Sequence, residues 1–228
     1  MNNITAVFKK QIKDTLKNKT VFIQFIMFPL LTLIMSKGVK IDGMPDHFFV
    51  HMFSVMYIGM APLTSIAAII AEEKEKNTLR VLLMSNVKPY EYLLGIGSYI
   101  WLACMMGAYI ICAAGDYCMR ERFMFMIIMA VGIIASLVIG AAIGIWSRTQ
   151  MMATSITVPV MMIFSFAPML SMFNVDVAKF AKFTYSVQIS NMVNRLDEWQ
   201  WRIDNIGIMA VNMFLFTVLF VLAYKKAL

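Results

Sequence analysis

The chain has 228 residues, 61% of them hydrophobic and 14% charged, and a formal net charge of +7. Soluble domains carry roughly 25% charged residues, and here the charges crowd into short stretches between long uncharged ones, which excludes an ordinary soluble domain and marks a chain whose solvent is lipid. The basic surplus sits beside apolar runs and lacks the interleaved aromatic residues of a nucleic-acid surface, so anionic lipid headgroups are its expected partner and nucleic acid is not.

Residues 2–19 read as a basic amphipathic helix. Ile4, Phe8, Ile12 and Leu16 recur every fourth residue, and Lys9, Lys13 and Lys17 form a displaced parallel row. Such a helix lies in the membrane interface with its apolar side down. No small-residue cleavage site follows, so the first apolar run is expected to be retained rather than removed as a signal.

Crossing the hydrocarbon core takes about 20 residues. Six uncharged runs meet that test: Thr20–Ser36, Phe49–Ala71, Tyr92–Gly115, Phe123–Ser147, Met151–Val175 and Ile206–Ala223. The first is short, and Lys37 can extend it by snorkelling. Arg148 separates the fourth run from the fifth. An even number of spans puts both termini on one side. Twelve of the 20 Lys and Arg residues fall on that side, including the cluster before the first span, and this predicts cytoplasmic termini.

Inside the spans, Gly132, Ser136, Gly140 and Gly144 form a row of small residues, which lets helices approach closely. That row fits packing within the subunit, and a dimer seam is the sharper alternative. Pro159 and Pro168 predict a bent or broken fifth span. Cys104, Cys112 and Cys118 are an odd number and suggest no disulfide framework. His47 and His51, spaced i,i+4 beside Asp46, are too few to make a metal site. Between the fifth and sixth spans, residues 173–205 show apolar spacing through Phe173, Val177, Phe180 and Val187, followed by Trp199 and Trp201. One or two short helices at the outer interface are expected there.

The densest charged stretch joins the second and third spans over residues 72–91. Asn77 or Thr78 can cap a short helix whose apolar face is Leu79, Leu82 and Leu83. Ser85-Asn86-Val87-Lys88 breaks it, Pro89 suits the first turn of the next helix, and Glu91 suits that helix's positive end. A short helix held between two spans can dock a soluble partner and pass its motion into the membrane.

The run from Glu72-Glu73-Lys74-Glu75-Lys76-Asn77-Thr78-Leu79-Arg80 to Tyr92-Leu93-Leu94-Gly95 resembles the cytoplasmic loop of ABC-2-type exporter permeases. Glu73, Glu75, Thr78, Leu79, Leu82, Val87, Leu93, Leu94 and Gly95 match the family pattern. Asn77 stands where glycine is usual, Ser85-Asn86 where Thr-Pro is usual, and Ile96 where lysine is usual. The resemblance implies an all-α membrane fold, ABC-2 (type V) exporter-like, with six spans behind an interfacial helix, in a bacterial plasma membrane. It implies pairing with a second permease copy or a related permease, and with a cytoplasmic ATPase subunit that binds ATP and Mg. Coupling to that ATPase would fall to Glu73, Glu75, Thr78, Leu79, Leu82 and Leu83, and to Phe8, Lys9, Ile12, Lys13 and Leu16 of the interfacial helix.

The chain contains no Gly-x-x-x-x-Gly-Lys-Ser/Thr loop, so ATP hydrolysis is expected on a separate chain, and neither a cofactor nor a catalytic residue is expected on this one. An ion-coupled secondary transporter or a channel-like protein is the rival reading. All six spans lack Asp, Glu, Lys and Arg, the residues that mark ion pathways, which disfavours it. Uncharged walls instead suit an amphiphilic substrate: a drug, a lipid-like molecule or an antimicrobial peptide.

Overall fold

A computed structural model describes residues 3–17, 19–39, 43, 45, 47–196 and 203–227. Trp199, Trp201, Asp46 and the side chains of Leu16 and Leu83 lie outside the described residues. Among the described residues the chain forms helices and no strand. In order they are α1 (Asn3–Lys17), α2 (Lys19–Gly38), α3 (Phe48–Glu75), α4 (Thr78–Met84), α5 (Pro89–Ala113), α6 (Met119–Trp146), α7 (Gln150–Phe173), α8 (Val175–Ala181), α9 (Tyr185–Val193) and α10 (Ile203–Ala227).

Five of these, α3, α5, α6, α7 and α10, are long and apolar enough to cross a membrane by length and composition, and the apolar stretch Phe22–Gly38 of α2 is shorter. α3 is the axis of the bundle and packs against α2, α5, α6, α7 and α9. Of its most apolar stretch 78% is buried, against 22% for α7 and 17% for α10, so those two helices stand at the periphery.

The small-residue row of α6 explains how α3 and α6 come so close. A Cβ on Gly140 would lie 2.5 Å from the Leu63 carbonyl oxygen, and one on Gly144 would lie 3.0 Å from that of Ala67. Ser136 Oγ donates to the Ile58 carbonyl at 2.7 Å and lies 2.7 Å from the Tyr185 hydroxyl. The row is therefore occupied within the subunit and is not free to form a seam between copies. Gly59 of α3 faces Ser165 of α7 just as closely. α7 continues as a helix through both Pro159 and Pro168.

The segment after α7 divides into two short helices of different character. α8 starts where Asn174 Oδ1 accepts from the backbone N–H groups of Asp176 and Val177, and it leaves Val175 and Phe180 exposed. α9 is drawn into the bundle among α3, α6, α7 and α10, with Tyr185, Val187, Ile189 and Val193 buried. Asn212 of α10 fastens the turn between them by donating to the Phe183 carbonyl at 2.8 Å. The turn resets the helical phase, so Phe173 and Phe180 of the apolar row are exposed while Val187 is buried.

Candidate partner-coupling site

Successive residues of an α-helix point about 100° apart. The last turn of α3 carries four charged residues in succession, and each therefore addresses a different neighbour. The Glu72 carboxylate pairs with Lys76 just past the helix end, and this hydrogen bond raises the Lys76 ammonium above the ordinary lysine range. Glu73 turns towards α1, where Lys10 Nζ and Gln11 Nε2 both donate to its Oε1, the latter at 2.8 Å. Lys74 Nζ donates to the Ile145 carbonyl at the end of α6. Glu75 Oε2 accepts from the backbone N–H of Gln150, the first residue of α7, at 2.7 Å. Two of these contacts answer helix ends electrostatically: a cation meets the free carbonyls of α6 and an anion meets the free N–H groups of α7.

Glu73 is 7% exposed, a low value for a carboxylate. Burial on these terms requires compensation by charge and hydrogen bonds. Lys10 and Gln11 supply it at Oε1. The buried Tyr92 hydroxyl of α5 interacts with the same carboxylate. Neither Glu73 Oε2 nor the Tyr92 hydroxyl makes a hydrogen bond of ordinary geometry among the described residues. α1, α3 and α5 thus meet around one side chain.

α1 reaches that junction by docking on α5. Rows of every fourth residue drift by about 40° per step around a helix of 3.6 residues per turn, so the row Ile4, Phe8, Ile12 slants off the docked side. The buried seam is Val7, Gln11 and Thr15. Gly95 of α5 permits the contact, since a Cβ there would lie 2.8 Å from Val7 Cβ. Phe8 meets Tyr99 edge to face at 5.8 Å between ring centroids. Ile12 is 38% exposed, and Lys9 and Lys13 are exposed beyond it. The N-terminus of α1 is anchored as well: Asn3 Nδ2 donates to Glu91 Oε2 at 2.9 Å, and the same oxygen accepts from the Lys88 backbone N–H at 2.8 Å.

α4 projects from the hub. Asn77 enters it with φ 57°, in the left-handed region that asparagine tolerates better than most residues. Thr78 Oγ1 donates back to the Glu73 carbonyl at 3.1 Å. Leu79, Leu82 and Val87 pack partly buried against the core. The other side presents Arg80, Val81 and Met84 to the outside, with Val81 65% and Met84 79% exposed. Tyr90 at the start of α5 extends this exposed surface.

Of the residues singled out from sequence, Glu73 and Phe8 lie in the junction, with Glu75 and Thr78 on the same hub. Leu79 and Leu82 hold α4 against it. Lys9, Ile12 and Lys13 face outward, away from the junction. Residues that complete the site but carried no sequence signal of their own are Lys10, Gln11, Lys74, Tyr92 and Gln150. A usable hint was the row Val7, Gln11, Thr15, whose neutral polar members mark a side apart from the lysines.

Cavities open within the bundle among the described residues. One of about 180 Å³ lies between α2, α3 and α7, lined by Met27, Phe28, Met60, Val158 and Met161. Its main polar group is Gln24, whose Oε1 accepts from Thr64 Oγ1 at 3.0 Å and Ser65 Oγ at 3.1 Å. Another, about 240 Å³, lies among α3, α7 and α9 near His51 and Ser165, with Met52, Met56, Met169 and Met172 in its wall. His51 stacks on Tyr117, and His47 packs against the same ring at a tilt. Among the described residues no three His, Cys, Asp or Glu side chains converge as metal ligands would.

A search of curated proteins found no match to this chain. The sequence model of one family, described as ABC-2 family transporter protein, matches residues 1–223. That match spans nearly the whole chain, from the docked amphipathic helix to the last span, and the chain belongs to the ABC-2 family of transporter membrane proteins.

Proposed function

We propose that the chain is the membrane-spanning permease subunit of an ATP-driven exporter, working as a pair of permeases with a separate cytoplasmic ATPase. The observation that carries this reading is the four-way hub at the end of α3. A push on α4 or α1 from a soluble partner reaches α3 through Glu73, α6 through Lys74 and α7 through Glu75. A loop that served only to fix topology would need none of these contacts.

In this reading α2 is the sixth span. Its 20 residues make a helix of about 30 Å, close to the thickness of the hydrocarbon core. Both termini then lie on the side of α4, in the cytoplasm of a bacterial cell. The substrate is amphiphilic, because the cavity among α2, α3 and α7 is mostly apolar, with the Gln24 amide and the hydroxyls of Thr64, Thr154 and Thr157 as its polar groups and no charge. Closure of the ATPase would pull α1 and α4 together and shift α7 against α3, changing that cavity.

The test is to purify the tagged chain, identify a co-purifying subunit that carries a phosphate-binding loop and hydrolyses ATP, and reconstitute the complex in vesicles. ATP-dependent movement of an amphiphilic dye or peptide is expected. A chain that purifies without such a subunit, or moves substrate on an ion gradient without ATP, overturns the reading.

A further inference from the structure

The cations at the α4 end of the bundle are not matched by its acids. Every described carboxylate near the hub is committed: Asp14 and Glu73 to Lys10, Glu72 to Lys76, and Glu75 to the start of α7. Arg148, Lys225 and Lys226 are exposed and form no ion pair among the described residues. Arg148 lies close enough to Lys74 for the two positive charges to interact. The Lys226 ammonium sits 5.6 Å from the ring centroid of Trp146, the last residue of α6, and Trp146 is 59% exposed.

We propose that the adjoining ends of α6 and α10, with Trp146, Arg148 and Lys226 as its core, form a binding site for the headgroup of an anionic phospholipid. Leu215, Leu219 and Leu222 recur on the side of α10 that carries Lys226, at spacings of four, three and four residues, and all three are more than half exposed. From Leu215 to Lys226 the row runs for about 16 Å at 1.5 Å per residue, roughly the hydrocarbon depth of one leaflet. An acyl chain lies along the leucines, and the phosphate reaches the ammonium and guanidinium at their end. Trp146 marks the headgroup level, where an indole with one polar edge is favoured. A soluble anion would use the cations and leave the stripe idle. The inference rests on the chain spanning a membrane, which family membership carries, and not on the ATPase partner.

The test uses delipidated full-length protein in neutral detergent, melted in the presence of phosphatidylglycerol, phosphatidylcholine with the same chains, or inorganic phosphate. Phosphatidylglycerol is expected to raise the midpoint, and the other two are not. Each positive charge at a lipid surface contributes about fivefold in affinity, so Arg148→Gln with Lys226→Gln should weaken the phosphatidylglycerol response on the order of twentyfold. Lys179→Gln with Lys182→Gln, at the opposite end, should leave it unchanged. If the double variant at the site does not fold, Lys226→Gln alone should show about fivefold. Equal stabilisation by phosphatidylcholine, reproduction by phosphate, or an undiminished response in the Lys226 variant overturns the proposal.

Discussion

The two ends of the bundle are held together by different chemistry. At the α4 end, charged side chains bridge helix to helix: Lys10 to Glu73, Lys74 to the end of α6, Glu75 to the start of α7. At the α8–α9 end the ties are neutral and buried. Tyr185 meets Ser136, Asn212 meets the Phe183 carbonyl, and the rings of Phe164, Tyr185 and Phe216 pack on one another. Neutral, fully packed contacts resist rearrangement, because each would leave an unsatisfied group in an apolar setting. The exposed Glu75 contact can exchange partners, since solvent accepts a released charge, whereas the buried Glu73 carboxylate is held in place by Lys10 and Gln11. In the proposed transporter the first end is the one that moves and the second stays put.

Glu73 offers the largest way to break this contrast. Glu73→Ala leaves Lys10, Gln11 and Tyr92 around a vacated polar pocket. Removing one partner of a buried pair costs about 3–5 kcal/mol, and the part-exposure of Lys10 brings this towards the lower end. Transport by the reconstituted complex should fall at least tenfold while the protein still inserts in the membrane. Unchanged transport would remove the junction from the coupling path.

Next in size is Gly140→Ala. Its methyl would press on the backbone of α3, and overpacking of this kind costs about 1–3 kcal/mol. Its melting midpoint in detergent should drop. Gly207→Ala is the control, because nothing lies within 4 Å of a Cβ there and alanine is favoured over glycine in a helix by up to about 1 kcal/mol. Smaller effects separate the two ends. Tyr185→Phe removes the hydrogen bond to Ser136 and should lower stability by about 1 kcal/mol without affecting ATP-driven transport selectively. Glu75→Gln weakens the anchor at the start of α7 by about 0.3–1 kcal/mol. Its signature should be a lower ratio of substrate moved to ATP hydrolysed at nearly unchanged stability.

The apolar spans were legible because hydrocarbon tolerates so few sequences: a long uncharged run has few other homes. α4 was legible through Asn77, Pro89 and Glu91, whose backbone preferences are local. The hub was only half legible. Glu73 and Glu75 stood out as charges, but the choice of partner depends on how α1, α6 and α7 are arranged around α3, and no local pattern encodes that arrangement. α1 shows the same limit. Its most regular apolar row was plain in the sequence, yet the docked seam runs through Gln11 and Thr15, because those side chains meet polar partners on α3 and α5. α9 was hidden for a related reason, since buried Tyr185 and Gln188 look like surface residues until Ser136 and the Lys182 carbonyl are brought beside them.

Met84 on α4 and Phe180 on α8 allow the most direct test of the division between the ends. They are 79% and 80% exposed and stand at opposite ends of the bundle. A photo-crosslinking residue placed at each position, in cells expressing the complete transporter, compares the two surfaces at equal exposure. Position 84 is expected to capture the ATPase subunit and position 180 is not. Capture of the ATPase from position 180, with none from position 84, would contradict the division between the ends.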